Sequence, residues 1–148
     1  MQAIRMLLVG DNVDFVEGLR AWLLKERDIE IVGIEHSGAA AIEKVAELRP
    51  QLVLMDVTMP DMSGFRACRM IRSENGSPMI VLMTFHESET VRREAASAGA
   101  DEVVGKGHIA TTLLPLVRDL AGWAVEERTD GDRPKAPEKP EKQQKPQP

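Results

Sequence analysis

Four polar residues each follow a short apolar segment, and together they could handle a phosphoryl group. Asp11 comes after LLVG, Asp56 after LVLM, Thr84 after IVLM, and Lys106 after EVVG. Two carboxylates can hold a hard divalent cation such as Mg2+, and one of them can attack phosphorus. The cation and an ammonium group neutralise the transferring oxygens, and a hydroxyl can donate to one of them. Each residue alone is more often a cap, a packing residue or a solvated charge, so the prediction depends on their convergence.

Alternating strand and helix patterns would position these residues. Nearly continuous apolar runs, typical of buried parallel strands, predict five strands at residues 4–9, 30–34, 52–55, 79–83 and 102–104. Apolar residues at helical spacing predict five helices. The first has Phe15, Leu19 and Leu23 on its inner face, and the others cover residues 37–48, 64–72, a segment through Val91 and Ala95 to Ala98, and residues 111–124.

This alternation predicts an α/β fold, a five-stranded parallel sheet with helices on both faces. Right-handed crossovers leave few topologies for such a chain. In these sheets a ligand binds outside the carboxyl ends of the strands. The four polar residues are therefore expected to meet at one edge of the sheet.

Composition and charge exclude several classes of protein. The net charge of −5 argues against sequence-independent binding to nucleic acid, which requires basic residues to meet phosphates. No apolar run approaches the roughly 18 residues of a membrane helix, and the first residues lack the pattern of a secretory signal. A single cysteine, Cys68, excludes an internal disulfide framework. We therefore predict a cytoplasmic protein that does not bind membranes.

The composition changes near residue 128. Residues 128–148 hold five of the nine prolines and none of the residues Leu, Ile, Val, Phe, Trp or Met. Such a segment cannot bury enough apolar surface to offset the entropy of ordering it. We predict a folded domain at residues 1–127 and a disordered tail rich in Pro, Lys and Glu at residues 128–148.

Four segments resemble the receiver domain of two-component response regulators. They are LLVGDN (7–12), LVLMDVTMPDMSG (52–64), IVLMT (80–84) and GADEVVGKG (99–107). The resemblance covers about residues 3–122, and the helical details look most like receivers of the NarL/FixJ class. It implies the flavodoxin-like (βα)5 receiver fold.

The resemblance also implies a role for each of the polar residues. Asp56 would be the phosphoacceptor, and Mg2+ would be bound by Asp11, Asp56 and the backbone carbonyl of Thr58. Thr84 would be the switch hydroxyl that turns toward the phosphoryl group. Lys106 would pair with the phosphoryl oxygens, and the face formed by the fourth helix, fifth strand and fifth helix would respond to partners.

The chain departs from the family pattern in several places. Two acids usually follow the first strand in this family, and Gly10 replaces the first of them, which should weaken Mg2+ binding. Val103 replaces the switch aromatic, so coupling to the output face should be altered. Gly105 and Gly107 flank the lysine in place of the frequent Lys-Pro step, which should make that loop more mobile. Phe85, bulkier than the usual residue after the switch threonine, should restrict access to the phosphoacceptor.

The implied function is that of a single-domain response regulator. It would accept its phosphoryl group from a histidine kinase or phosphotransfer protein and act on an unknown target protein by direct contact. The NarL/FixJ class carries a DNA-binding domain that does not follow here, so no direct DNA binding is predicted. The expected state is a monomer or a phosphorylation-dependent dimer. Apart from self-catalysed phosphoryl transfer and dephosphorylation, no enzymatic activity is expected.

Two other functions remain to be weighed. An aspartyl phosphohydrolase on a related sheet needs a second Asp two residues after the nucleophile, and position 58 is Thr. A degenerate receiver would bind partners without phosphorylation, and Gly10 and Val103 favour that alternative. The presence of all four polar residues favours the phosphorylated switch.

Overall fold

A computed structural model describes residues 3–74 and 78–127, with side chains as far as Gly122. Five parallel strands form one sheet in the order β2-β1-β3-β4-β5. The strands are β1 (Ile4–Val9), β2 (Ile29–Glu35), β3 (Leu52–Asp56), β4 (Met79–Thr84) and β5 (Glu102–Gly105). The helices are α1 (Val13–Leu23), α2 (Gly38–Leu48), α3 (Gly64–Glu74), α4 (Glu89–Ala98) and α5 (Ile109–Glu127). The predicted fold is confirmed, whereas the predicted tail at residues 128–148 lies outside the described residues.

The two faces of the sheet bury separate apolar clusters because side chains alternate along each strand. Leu8 and Leu54 pack on the side covered by α1 and α5. Leu7 and Val53 pack on the opposite side, against α2, α3 and α4. All residues of β3 and β4 are buried, which explains their nearly continuous apolar sequence. Packing on both faces of the sheet therefore fixes the positions of the residues at the carboxyl ends of β3 and β4.

The boundaries differ from the sequence prediction at functionally relevant places. β3 and β4 each extend one residue further, because Asp56 pairs with Met83 and Thr84 pairs with Gly105 in the parallel ladder. The segment around Lys106 forms a 3-10 turn over Lys106–His108, while its mobility stays a prediction. This turn runs directly into α5, which therefore begins at residue 109 rather than 111 and continues to 127 rather than 124.

Each crossover begins with a capped helix at the carboxyl edge. The side chain of Asn12 accepts from the backbone N–H of Phe15 at the start of α1, and Ser88 does the same for Val91 in α4. Such caps satisfy backbone donors that would otherwise lack partners. They fix the loops that surround the strand ends.

Within the described part of the chain, no helix combines the length and apolar character that crossing a bilayer requires.

Candidate functional site

A buried ion pair lies at the carboxyl edge of the sheet. The Lys106 Nζ donates a hydrogen bond to Asp56 Oδ2 over 2.8 Å, and the side chains are only 7% and 4% exposed. Asp56 ends β3, while Lys106 follows β5, two positions away in the sheet. The lysine therefore reaches past the end of β4 to the carboxylate. The fold brings together two residues that are 50 positions apart in sequence.

The surroundings of Asp56 disfavour its charged form. Burial is the largest effect and raises the pKa of this carboxyl above its ordinary value of 3.8. The hydrogen bond and charge of Lys106 lower it in part, the negative charge of Asp11 raises it, and the backbone N–H of Thr58 lowers it. A carboxylate that is poorly solvated and held by one cation is suited to act as a nucleophile.

Asp56, Asp11 and the loop after β3 offer oxygen atoms that could hold a divalent cation. Asp11 is exposed at the end of β1 and close enough for its charge to act on Asp56. Thr58, also exposed, offers a backbone carbonyl in the loop after β3. These hard oxygen donors fit Mg2+, which binds through one or two carboxylates and keeps several waters. No cluster of three or more His, Cys, Asp or Glu side chains suited to a metal occurs among the described residues.

Gly10 occupies the place where a further acid would reach this site. A Cβ atom built on Gly10 would lie 3.2 Å from Asp56 Oδ2, the oxygen that binds Lys106. It would also lie 2.9 Å from the Cγ2 atom of Val16, a contact closer than real Cβ atoms make. The glycine therefore leaves Asp56 with one fewer negative neighbour than an acid at this position would, and Val16 packs close to it.

Thr84 ends β4 between the two members of the ion pair. It is 7% exposed, and its Oγ1 accepts a hydrogen bond from the backbone N–H of His86 over 3.0 Å. This bond uses a lone pair of the hydroxyl oxygen, so the O–H group can still donate to an acceptor. Rotation of the whole Thr84 side chain about its Cα–Cβ bond would carry Oγ1 away from the His86 N–H and break this contact with the loop that leads to α4.

Two aromatic rings cover the ammonium group of Lys106. Its Nζ lies 4.6 Å from the centroid of the Phe15 ring and 4.7 Å from that of Phe85. The sequence pattern placed Phe15 on the inner face of α1, but Val16 takes the buried position and Phe15 is only partly buried. Phe85 contacts the lysine and is 69% exposed, and its expected restriction of access to Asp56 stays a prediction.

The loop between β3 and α3 is anchored by contacts that the sequence analysis did not identify. The Asp61 carboxylate accepts hydrogen bonds from the backbone N–H groups of Gly38 and Ala39, over 3.0 and 2.9 Å. These bonds lower the pKa of Asp61. Gly64 closes the loop by donating to the Val57 carbonyl, and a Cβ there would collide with the carbonyl oxygen of Asp56. The loop that carries Thr58 is thus fixed at both ends.

Val103, the residue at the altered switch position, packs with the apolar cluster beneath α2, α3 and α4. A compact aliphatic side chain in this place cannot alternate between buried and exposed positions as a ring on a longer arm can. Altered coupling to the output face stays a prediction of the sequence.

Comparison with known proteins identifies the family. The model of the response regulator receiver domain matches residues 6–118. The chain belongs to this family. The predicted resemblance to receivers of two-component response regulators is therefore confirmed.

Relatives of this receiver domain include proteins named as enzymes and proteins named as response regulators. It is 42% identical over 133 residues to a protein-glutamate methylesterase/protein-glutamine glutaminase of a Nocardioides species, covering 81% of this chain and 36% of that protein. It is 31% identical over 115 residues to the response regulator protein VraR of Staphylococcus saprophyticus, covering 78% and 55%. The chain therefore spans between about a third and just over half of the length of these curated relatives.

Solved structures of receivers superpose closely on this receiver domain. The signal receiver domain of the NarL regulator from Mycobacterium tuberculosis has a TM-score of 0.78 at 26% identity, covering 82% of this chain and 98% of that one. The response regulator domain of CheB from Thermotoga maritima has a TM-score of 0.69 at 26% identity, covering 90% and 100%. Both matches agree with the receiver fold.

Proposed function

We propose that this receiver is a phosphorylation switch of a phosphorelay, with Asp56 as the phosphoacceptor. A histidine kinase or phosphotransfer protein would donate the phosphoryl group, and the altered surface would signal by contact with a target protein. The observation that carries the proposal is the 2.8 Å pair of Asp56 and Lys106 at the carboxyl edge, with Asp11 beside it. Membership of the family supports the same assignment.

The chemistry follows from the charges around Asp56. One carboxylate oxygen attacks the phosphorus of a phosphohistidine, a P–O bond forms, and the P–N bond breaks with its electron pair passing to the imidazole nitrogen. The Lys106 ammonium, released from the neutralised carboxylate, then binds a phosphoryl oxygen. Mg2+ bound by Asp11, Asp56 and the Thr58 carbonyl would neutralise the other phosphoryl oxygens. Gly10 supplies no carboxylate, so the ion should bind more weakly than with two acids after β1.

The output is proposed to pass through the β4–α4 loop. The Thr84 hydroxyl would donate to a phosphoryl oxygen and give up its bond with the His86 backbone. This would shift the start of α4 and the surface formed by α4, β5 and α5, where a partner would bind. Because Val103 replaces the switch aromatic, the signal would depend on the loop and not on the movement of a ring.

Gly10 and Val103 also motivate a second function, in which a degenerate receiver binds its partner without phosphorylation. The Asp56–Lys106 pair would then be a buried structural contact. The raised pKa of Asp56 and the neighbouring charge of Asp11 favour the phosphorylation switch, because both show that the ionised carboxylate is less stable here than in water. Action without an effector domain, the cytoplasmic location and the oligomeric state stay predictions of the sequence.

Intact-mass measurement distinguishes the two functions. The protein is incubated with phosphoramidate, a small donor with a P–N bond, over a range of Mg2+ concentrations. We expect one added phosphoryl group in the wild type, none in Asp56→Asn, and none when Mg2+ is removed with a chelator. Absence of the adduct at every Mg2+ concentration would contradict the switch and favour the module that acts without phosphorylation.

A further inference from the structure

We propose that Phe15 and Phe85 are positioning residues that hold the Lys106 ammonium in place for phosphoryl transfer. We call this pair of rings the aromatic clamp. The inference rests on the proposed function of Asp56, but it concerns two residues outside the group of polar side chains that would bind the phosphoryl group and Mg2+.

The contacts of the ammonium group support a clamp. Both ring centroids lie within 5 Å of Nζ, at 4.6 Å for Phe15 and 4.7 Å for Phe85. Cation–π attraction acts within about 6 Å of a ring centroid and strengthens when the cation has lost its water. The Lys106 side chain is 7% exposed, so the rings replace solvent around the ammonium while Asp56 accepts its hydrogen bond.

The main chain of the 3-10 turn fixes the position of the Lys106 backbone but does not hold the ammonium group at the end of its long side chain. Lys106 lies between two glycines, and a Cβ built on Gly107 would meet no atom within 4 Å. A long, flexible lysine side chain on such a segment loses considerable entropy when it is held in one place. The rings restrict it from the outside, one from α1 and the other from the β4–α4 loop.

The clamp also compensates for the missing acid. The Cβ position of Gly10 is 3.2 Å from the Asp56 oxygen that binds Lys106, so an acidic side chain there would place negative charge near the ammonium. Without that charge, the attraction that keeps the ammonium at the site is weaker. The electron-rich faces of the two rings supply part of the missing attraction for the ammonium group, and they do so without adding a titratable group.

Phe85 connects the clamp to the switch residue. It follows Thr84 directly, and its ring is 69% exposed even though one face contacts the lysine. A movement of Thr84 toward a phosphoryl group would therefore displace the Phe85 ring as well. The ammonium would be freed to follow the transferred group at the step at which it is needed.

Two substitutions at Phe85 separate the aromatic contact from simple packing. Phe85→Leu retains an apolar side chain but removes the ring face, whereas Phe85→Tyr retains both. We expect the rate of phosphorylation by phosphoramidate and Mg2+ to fall roughly three- to tenfold in Phe85→Leu and to stay at the wild-type level in Phe85→Tyr. Since Phe85 is largely exposed, both variants should keep the wild-type unfolding midpoint.

A control variant tests whether any loss of exposed apolar surface has the same effect. Leu24, at the other end of α1, is 53% exposed. Leu24→Ala should leave the phosphorylation rate unchanged. Equal rates in Phe85→Leu and Phe85→Tyr would overturn the clamp, as would a similar reduction in all three variants.

A spectroscopic readout keeps the clamp separate from the proposed function. Methylene protons of Lys106 next to Nζ lie close to two aromatic rings, so their NMR signals should be displaced upfield from those of other lysines. The displacement should decrease in Phe85→Leu and persist in Phe85→Tyr. If the wild type accepts no phosphoryl group, the proposed function fails and these signals alone decide the clamp. Ordinary lysine shifts in the wild type would overturn it.

Discussion

Two buried pairs of opposite charge lie at opposite edges of the same sheet. At the carboxyl edge, Lys106 and Asp56 are 2.8 Å apart. At the amino edge, Arg72 at the end of α3 and Asp101 just before β5 are 2.9 Å apart, with side chains 16% and 8% exposed. The pairs have similar distances and burial, yet their surroundings differ.

The amino-edge pair is connected to the main chain by several hydrogen bonds. The Arg72 guanidinium also donates to the carbonyl oxygens of Gly99 and Pro78, over 2.8 and 2.6 Å, and Asp101 accepts from the backbone N–H of Ile80. A planar guanidinium is suited to such fixed, multiple contacts. This pair joins α3, the loop before β5 and the start of β4, so its role is structural.

The carboxyl-edge pair is held more by side chains than by the main chain. Lys106 contacts Asp56 and two aromatic rings, and burial keeps the pKa of Asp56 raised in spite of the lysine. A charge pair therefore stabilises the fold when the surrounding backbone satisfies both partners. The proposed reactivity of Asp56 fits a carboxylate whose burial outweighs the stabilisation it receives from Lys106 and the Thr58 N–H.

The largest effect is expected when the amino-edge pair is broken. Arg72→Met removes the hydrogen bonds to Asp101, Gly99 and Pro78 and leaves a buried carboxylate, so the free energy of unfolding should fall by about 3–5 kcal/mol. Urea unfolding measures the change. The matched control is Arg69→Met on the same helix.

Arg69 makes only an exposed pair with Glu94, each side chain being 49% exposed. Its substitution should change the free energy of unfolding by less than about 1 kcal/mol. Equal losses in the two variants would show that the amino-edge network does not carry the stability assigned to it.

At the carboxyl edge, removal of the charge should have the opposite sign. Asp56→Asn is expected to raise the free energy of unfolding at neutral pH. Because the folded-state pKa of Asp56 lies above 3.8, the folded protein binds this proton more tightly than the unfolded chain does. The ionised carboxylate therefore costs stability, fully above the raised pKa and not at all below 3.8.

The gain in Asp56→Asn should shrink as pH falls through that window, which urea unfolding at several pH values would show. Asp101→Asn should instead lower stability at neutral pH, since it weakens the charge-assisted bonds with Arg72. If both substitutions destabilise the protein to the same extent, the contrast between the pairs is wrong.

A smaller effect is expected when the missing acid is restored. Gly10→Asp should strengthen Mg2+ binding about tenfold, because a second carboxylate beside Asp56 adds charge and an outer ligand to the ion. The control is Gly10→Ala, which introduces the same Cβ and its close contact with Val16 without a carboxylate. Mg2+ titration followed by NMR would measure both. Equal affinities in the Asp and Ala variants would contradict the assignment of the metal ligands.

The smallest effect is expected for an exposed charge group that resembles neither pair. Arg118 binds Asp28 and Glu26 over 2.7 and 2.8 Å at the surface, and its hydrogen bond lowers the pKa of Asp28. Arg118→Gln should shift the unfolding midpoint only slightly, and less at high salt. The stabilisation is present above pH 3.8 and is lost as pH falls through the lowered pKa, so the two proteins should converge in acid.

Much of the fold could be predicted because the two layers of helices bury the central strands. β3 and β4 therefore show nearly continuous apolar runs, and the residues that follow such runs belong to one edge. Asp56 and Lys106 could be selected on that basis. The exact strand ends could not, since Asp56 and Thr84 continue the ladder although their side chains are polar.

Contacts between distant side chains could not be predicted. Arg72 and Asp101 are 29 residues apart, and neither follows a pattern that distinguishes it from a solvated surface charge. Phe15 has the spacing of a core residue in α1. In the structure, however, Val16 is the buried residue at this turn of the helix, and Phe15 contacts Lys106. Phe85 stands out in the sequence because it follows Thr84 directly, but its contact with Lys106 depends on the three-dimensional fold.

Intact mass after incubation with phosphoramidate and Mg2+ tests the contrast between the two pairs most directly. The comparison is between Asp56→Asn and Asp101→Asn, which remove one carboxylate charge from each pair. The account predicts one phosphoryl group on the wild type and on Asp101→Asn at a temperature where both are folded, and none on Asp56→Asn. Labelling of Asp56→Asn to the same extent as the wild type, or no labelling of the wild type, would contradict it.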